Sequence, residues 1–228
     1  MKTKKDEICF VIPAYNEGKV IKNVLQKIVD EGYKNIIVID DGSTDKSSKI
    51  IQEVKEVTLL RHVINRGQGA ALKTGIDYAL NKNCKYIVTF DSDGQHRLED
   101  LPKFIEVLDK GEADIVLGSR FLTEESKKLV PKKKQILLKA GIYVTWFLSQ
   151  IKLSDTHNGY RVMNKKAANK IDILTDGFEH ASEIIDEISK KNIKYKEVPV
   201  TIDYTEYSKQ KGQKISNSIK IFFKMLLR

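Results

Sequence analysis

The sequence predicts an α/β protein built on a mostly parallel, doubly wound sheet with helices on both faces. Three observations carry that expectation. Continuous apolar runs recur, as in Ile8-Cys9-Phe10-Val11-Ile12-Pro13 and Asn35-Ile36-Ile37-Val38-Ile39, the pattern of strands buried on both faces. Such runs are followed by apolar residues at helical spacing. Polar clusters stand where the runs end, which is where open α/β sheets bind their ligands.

The first strand ends at Pro13, and Ala14-Tyr15-Asn16-Glu17-Gly18 is a loop leading into a helix marked by Val20, Ile21, Val24, Leu25, Ile28 and Val29. The second strand stops at Asp40-Asp41-Gly42-Ser43-Thr44-Asp45; Ser43 or Thr44 is placed to cap the helix that carries Ile50, Ile51 and Val54. Thr58 to Arg61 reads as a short third strand, and Asn65-Arg66-Gly67-Gln68-Gly69 leads into a helix over Ala70 to Leu80. The run Lys85 to Phe90 is a fourth strand, followed by a helix from Leu98 to Leu108 and a strand from Ala113 to Gly118, ending in Ser119-Arg120. Asp155 to Arg161 reads as a polar turn before Val162-Met163. Ala181 to Ile188 is again helical, and Tyr195 to Ile202 reads as an edge-type strand.

Two segments carry apolar residues beside lysines. Ile136 to Ile151 contains Leu137, Leu138, Ile142, Tyr143, Val144, Trp146, Phe147 and Leu148, with Lys127, Lys128, Lys132, Lys133 and Lys134 ahead of it. It is too short and too interrupted to span a bilayer, but it suits a helix lying in a membrane interface. A core helix with a solvated basic loop explains the same residues. The tail from Ile215 to Arg228 is a second basic amphipathic helix, and Lys209, Lys211, Gly212 and Lys214 form a loop able to close over a phosphate.

With 228 residues the chain has room for one large core, and a single domain over 1–228 is expected. The formal charge of +9, from 40 Lys and Arg against 31 Asp and Glu, points to an anionic partner. Cys9 and Cys84 lack the paired spacing of a zinc site or disulfide framework. The charged N-terminus runs straight into a strand, so no secretory signal is expected and the protein is expected in the cytoplasm. Nucleic acid is not the expected partner, because the lysines cluster near apolar helices rather than interleaving with exposed aromatics on strands.

The stretch Thr89-Phe90-Asp91-Ser92-Asp93-Gly94-Gln95-His96 is the centre of this arrangement. Asp91 and Asp93 stand two apart, so extended backbone puts both carboxylates on one face, with Gln95 adding a neutral oxygen. That donor set suits a hard divalent cation that keeps positions open for phosphate oxygens. An Asx-type turn closing a strand explains Asp93-Gly94 with nothing bound.

Together, Val11-Ile12-Pro13-Ala14-Tyr15-Asn16-Glu17, the Asp40 to Asp45 turn, Asn65-Arg66-Gly67 with Gly69-Ala70-Ala71, and Asp91-Ser92-Asp93-Gly94-Gln95-His96 resemble the family 2 glycosyltransferases of the GT-A fold. Gly118-Ser119-Arg120 and Asp155-Thr156-His157-Asn158-Gly159-Tyr160-Arg161 resemble the patterns of dolichyl- and polyprenyl-phosphate sugar synthases, with Asn158-Gly159-Tyr160 where those show Ser-Gly-Phe. Where those synthases show Arg followed by Gly-x-Ser-Lys, this chain has Tyr204 and Gly212-Gln213-Lys214.

The resemblance implies a nucleotide-sugar-binding half to about residue 120 and an acceptor and membrane-surface half after it. Pro13, Ala14, Tyr15, Glu17 and Ser92 would line the nucleotide-sugar pocket, with Asp41 reading the base of a UDP- or GDP-linked donor. Asp91, Asp93 and Gln95 would hold Mg²⁺ or Mn²⁺. Arg120, Arg161 and Lys214 would bind the phosphate of a polyprenyl acceptor, undecaprenyl or dolichyl, at the inner face of a membrane or beside a membrane-protein partner. Asp155 would be a general base or would orient Arg161, and orientation is the favoured role because a phosphate acceptor is already ionised. His157, Glu179, His180 and Glu183 are candidates for the sugar pocket. Transfer to a sugar hydroxyl, with Asp155 as base, is the nearest alternative; a sugar nucleotidyltransferase lacks its expected glycine-rich N-terminal signature.

Overall fold

The protein is described by a computed structural model over residues 3–204 and Tyr207. In chain order the elements are β1 (Ile8–Ala14), α1 (Ile21–Asp30), β2 (Asn35–Asp40), α2 (Ser47–Gln52), β3 (Val57–Arg61), α3 (Gln68–Leu80) and β4 (Tyr86–Thr89). They continue with α4 (Leu101–Asp109), β5 (Ile115–Ser119), α5 (Glu124–Leu129), α6 (Lys132–Ser149), β6 (Arg161–Asn164), α7 (Lys165–Lys170), α8 (His180–Lys190) and β7 (Tyr195–Pro199).

The strands form one sheet in the order β3-β2-β1-β4-β6-β5-β7. β1 pairs in parallel with β2 and β4, β2 with β3, and β5 with β7, while β6 runs antiparallel between β4 and β5. The sheet is therefore mostly parallel, as the sequence predicts, with one reversed strand inserted. That strand corrects the reading of Asp155 to Arg161 as a turn: Arg161 is the first residue of β6, opposite Thr89 of β4 and Leu117 of β5. β7 lies at the sheet edge, as expected of Tyr195 to Ile202.

Alternation along β1 explains the two layers of core. Phe10 and Ile12 face α1, α2 and α4, meeting Leu25, Ile28, Ile51 and Phe104. Cys9 and Val11 face the other side, where Leu72, Ile76, Ala168, Ile184 and Ile188 of α3, α7 and α8 cover them. Each large aliphatic side chain buried in this way contributes about 1.5–3 kcal/mol.

The cap of α2 differs from the expectation. Asp45 accepts from Ser47 N at 2.8 Å, whereas Ser43 is drawn into the turn by its N–H bond to Asp40 Oδ1 at 2.9 Å. Ser43 Oγ accepts from Asn16 N at 2.9 Å, and Thr44 N donates to Asn16 Oδ1 at 2.9 Å. Ser43 and Thr44 thus fasten the loop after β1 to the loop after β2. Both loops stand at the carboxyl edge of the sheet.

α6 covers the segment predicted from apolar residues and lysines. Its inner side buries Leu138, Thr145 and Ser149, and Ser189 Oγ of α8 donates to Ser149 O at 2.6 Å. Ile136, Tyr143, Trp146 and Phe147 remain exposed at helical spacing, Phe147 to 75%. No helix among the described residues is long and apolar enough to cross a membrane. The tail from Ile215 to Arg228 and the loop with Lys209, Lys211, Gly212 and Lys214 lie outside the described residues.

Candidate active site

The acidic motif leaves the end of β4 at the centre of the sheet. Ser92 Oγ donates to Pro13 O at 2.7 Å, which ties the motif to the end of β1 and turns that hydroxyl inward. Asp91 lies against Gly159: a Cβ at that position would stand 2.6 Å and 2.7 Å from its two carboxylate oxygens, so a larger residue there would have to displace the Asp91 carboxylate. Gln68 Nε2 donates to Asp91 Oδ1 at 3.1 Å, and His96 Nε2 stands 2.9 Å from Asp91 Oδ2. That second contact is close but is not directed as a hydrogen bond, because neither ring nitrogen of His96 has a hydrogen-bond partner.

Burial pushes the Asp91 carboxyl up, but His96 and Arg161 outweigh it and hold Asp91 below the ordinary carboxylate value. Asp93 goes the other way. Burial, then the charge of Asp91, push it up to about 6, although Gln95 N donates to its Oδ1 at 3.0 Å. Two adjacent carboxylates, one held ionised by its neighbours and the other pushed up by burial and by the first, form a fitting pair of ligands for a divalent cation. Gln95 is half-buried beside them, and its backbone carbonyl accepts from Asp203 N at 2.9 Å. Among the described residues, no group of three or more His, Cys, Asp or Glu is arranged to hold a metal by itself. The remaining positions of a cation bound by Asp91 and Asp93 would fall to neutral or substrate oxygens.

Arg161 is 2% exposed, and its Nη1 has no hydrogen-bond partner. Burial pulls its pKa down to about 10, against the opposing influence of Asp91 and Asp155, so it remains a cation at neutral pH. Arg120 is also buried but fully engaged on one edge. Its Nε and Nη2 reach Asp155 Oδ2 and Oδ1 at 2.6 Å and 2.7 Å, and its backbone N donates to Oδ2 at 3.1 Å. Burial raises the Asp155 carboxyl, yet the charge and hydrogen bonds of Arg120 prevail and keep it low. This corrects the expectation that Asp155 orients Arg161: its bidentate partner is Arg120, because the turn after α6 meets the end of β5 before the chain reaches β6.

On the donor side Pro13 and Ala14 complete β1, Tyr15 is 41% exposed, and Glu17 is buried. Glu17 N donates to Ser47 Oγ at 2.7 Å, and Tyr207 Oη donates to Glu17 Oε2 at 2.8 Å. Asp41 is held from three directions. Its Oδ1 accepts from Arg66 N at 3.0 Å and meets His62 Nδ1 at 2.7 Å, while Oδ2 accepts from Gly67 N at 2.7 Å. The carboxylate shapes the loop between β3 and α3.

That loop passes under residues 175–177. Gly69 N and Ala70 N donate to Asp176 O at 2.8 Å and 3.2 Å, and Arg66 Nη2 pairs with Asp176 Oδ1 at 3.2 Å. A Cβ on Gly69 would meet Thr175 O at 2.0 Å, and backbone cannot yield as a flexible side chain can. Gly69→Ala is expected to destabilise the fold by about 1–3 kcal/mol, the usual cost of overpacking, which chemical denaturation would read. Residues 175–177 also seat His180, whose Nδ1 is 2.8 Å from Gly177 O, and Glu183, whose Oε2 accepts from Thr175 N at 2.9 Å. Burial pulls His157 and His180 down to about 4, so both are neutral near pH 7.

Several members of this cluster escape sequence reasoning. Gln68 and Tyr207 reach the acidic and donor residues from distant parts of the chain, and no local pattern marks them. His96 had a signal, its place directly after the acidic motif.

Comparison with known proteins agrees with this architecture. Residues 9–172 match the family model described as glycosyl transferase family 2. A UDP-N-acetylglucosamine–dolichyl-phosphate N-acetylglucosaminyltransferase from Methanococcus voltae is 32% identical over 238 residues, spanning 96% of this chain and 95% of its own. A polyprenol monophosphomannose synthase from Mycolicibacterium smegmatis is 27% identical, spanning 92% of this chain and 83% of its own. Glucosyl-3-phosphoglycerate synthase from Mycobacterium tuberculosis, crystallised with Mn²⁺ and UDP-glucose, superposes with a TM-score of 0.67 over 97% of this chain and 78% of that one. Its 17% identity speaks for the fold, which is GT-A. With the family model matching residues 9–172, from β1 through β6, the chain belongs to glycosyl transferase family 2 and is a glycosyltransferase.

Proposed function

We propose that the protein transfers a hexose from a UDP- or GDP-linked donor to a polyprenyl phosphate, undecaprenyl or dolichyl, with inversion at the anomeric carbon and in dependence on Mg²⁺ or Mn²⁺. One observation carries the reading: Arg161 is a buried cation with a partnerless Nη1 whose charge reaches Asp91, while Asp93 next to Asp91 is pushed up with too little positive charge to offset it. A phosphate acceptor supplies what the first lacks and a divalent cation what the second lacks. The names of the relatives from Methanococcus voltae and Mycolicibacterium smegmatis support the same acceptor class.

Pro13, Ala14, Tyr15 and Glu17 line the nucleoside side in this reading, with Ser92 bracing the pocket from below and Asp41 acting on the base through the loop it shapes. Asp91 and Asp93 would hold the cation, with Gln95 as third protein ligand; when bound, it would stabilise negative charge on the departing diphosphate. Arg161 and Arg120, the latter clamped by Asp155, bind and orient the acceptor phosphate, joined by Lys214. A phosphate monoester is ionised near neutral pH and needs no base. Asp155 fits that account: with both oxygens on Arg120 and its acidity strengthened, it is a poor proton acceptor and a good clamp. Neutral His157 and His180 offer hydrogen bonds rather than charge to a sugar.

The exposed apolar face of α6 supports work at a membrane surface, the inner face of a cytoplasmic membrane, where a prenyl chain stays in the bilayer and its phosphate at headgroup level. The test is transfer of labelled sugar from a panel of nucleotide sugars into undecaprenyl or dolichyl phosphate in detergent. Label is expected in the lipid with Mn²⁺ or Mg²⁺ and is expected to disappear with chelator. Label in a sugar acceptor instead, or transfer that persists in chelator, contradicts the proposal.

A further inference from the structure

We propose that Glu197 is a positioning residue of the acceptor site, fixing the Ser154-Asp155 turn so that Asp155 presents Arg120 in one orientation. The inference rests on reading Arg120 as a ligand of the acceptor phosphate. Glu197 lies on the edge strand β7, opposite Leu117 of β5. Its carboxylate accepts from Ser154 N at 3.0 Å and 2.9 Å, one bond to each oxygen, from Ser154 Oγ at 2.8 Å and from Asp155 N at 3.2 Å. Ser154 Oγ also stands 2.6 Å from Ser119 Oγ, and Ser119 directly precedes Arg120. The turn is therefore held from β7 on one side and from the end of β5 on the other. Asp155 emerges from that grip to take the guanidinium of Arg120 through both oxygens.

A carboxylate is a costly group to put in this place. Burial pushes Glu197 up, and its partners are neutral donors rather than a cation. Its two oxygens take up three donors of the turn, which an apolar side chain would leave stranded and an amide, with one accepting oxygen, could satisfy only in part. What two acceptor oxygens add is direction. Consecutive backbone N–H groups of the turn are aimed at one carboxylate, which leaves Asp155 few ways to point. A shift of the turn by a fraction of an ångström rotates the Arg120 fork away from an incoming phosphate, while the donor side, built on β1, β2 and β4, is untouched.

The test is a double-variant cycle of Glu197→Gln and Asp155→Asn, read with whichever acceptor the wild type labels, and with nucleotide diphosphate affinity measured separately by calorimetry. Glu197→Gln is expected to raise the acceptor KM about tenfold while nucleotide affinity stays within about twofold, the kind of loss a slight misplacement causes. The double variant is expected to be no worse than Asp155→Asn, because one residue acts through the other. Glu197→Asp is expected to recover part of the loss. Additive effects overturn the proposal, as does parallel loss of nucleotide and acceptor affinity together with a lowered melting temperature. If the wild type labels a sugar hydroxyl instead of polyprenyl phosphate, the reading of the acceptor fails, and the cycle still decides whether Glu197 acts through Asp155.

Discussion

Replacing Asp93 by alanine is expected to lower the turnover of sugar transfer by about 10³-fold, the scale seen when a group that stabilises developing charge is removed. The site gives the reason. Asp93 is pushed up to about 6 by burial and by Asp91, so its ionised form is held at a cost unless a cation shares the charge. Asp93→Asn separates charge from shape: an asparagine oxygen can still accept from Gln95 N, the bond Asp93 makes at 3.0 Å. Both variants are expected to lose turnover at saturating Mn²⁺ and nucleotide sugar. A carboxyl whose pKa rises on folding favours the fold while protonated, and that contribution is lost as pH rises through about 6. Metal-free Asp93→Asn is therefore expected to melt at or above the wild-type temperature at pH 7.5. A variant that kept wild-type turnover would remove Asp93 from the proposed cation site.

Arg161→Met is expected to cut kcat/KM for the acceptor by about 10²-fold or more, since truncating one member of a buried charged contact typically costs about 2–5 kcal/mol. Nucleotide affinity is expected to hold. Arg161→Lys should not restore acceptor use, because a point charge cannot reproduce a planar fork whose Nη1 awaits a partner. Separate titrations of nucleotide and acceptor check both expectations. Weakened nucleotide binding with unaltered acceptor use would reverse the assignment of Arg161.

How much of this was legible in the sequence depended on distance along the chain. Asp91 and Asp93 could be placed at a strand end because Tyr86 to Thr89 is an unbroken apolar strand leading directly into them. Pro13 and Glu17 followed from β1 in the same way. The pairing of Asp155 with Arg120 was not legible, since the residues lie 35 apart and meet through a turn whose shape depends on Glu197 of yet another strand. β6 was missed for a different reason. Four residues opened by a charged one show too little periodicity to mark a strand, and its pairing with β4 and β5 is a tertiary fact. The cap of α2 failed locally: Ser43 and Thr44 have the right chemistry, but Asn16 had already claimed both.

The reversed strand β6 has a consequence for how this enzyme can diverge. Side chains alternate along a strand, so shifting the register of β6 by a single residue would swap the faces of Arg161 and Val162 and send the guanidinium to the opposite layer. Glycine at 159 narrows the options further, because a larger residue there would have to displace the Asp91 carboxylate. Surface loops elsewhere can lengthen, shorten and change partners with little penalty. Here, lineages are free to alter chemistry residue by residue but not spacing, so new acceptors must be reached by substitution around a fixed frame.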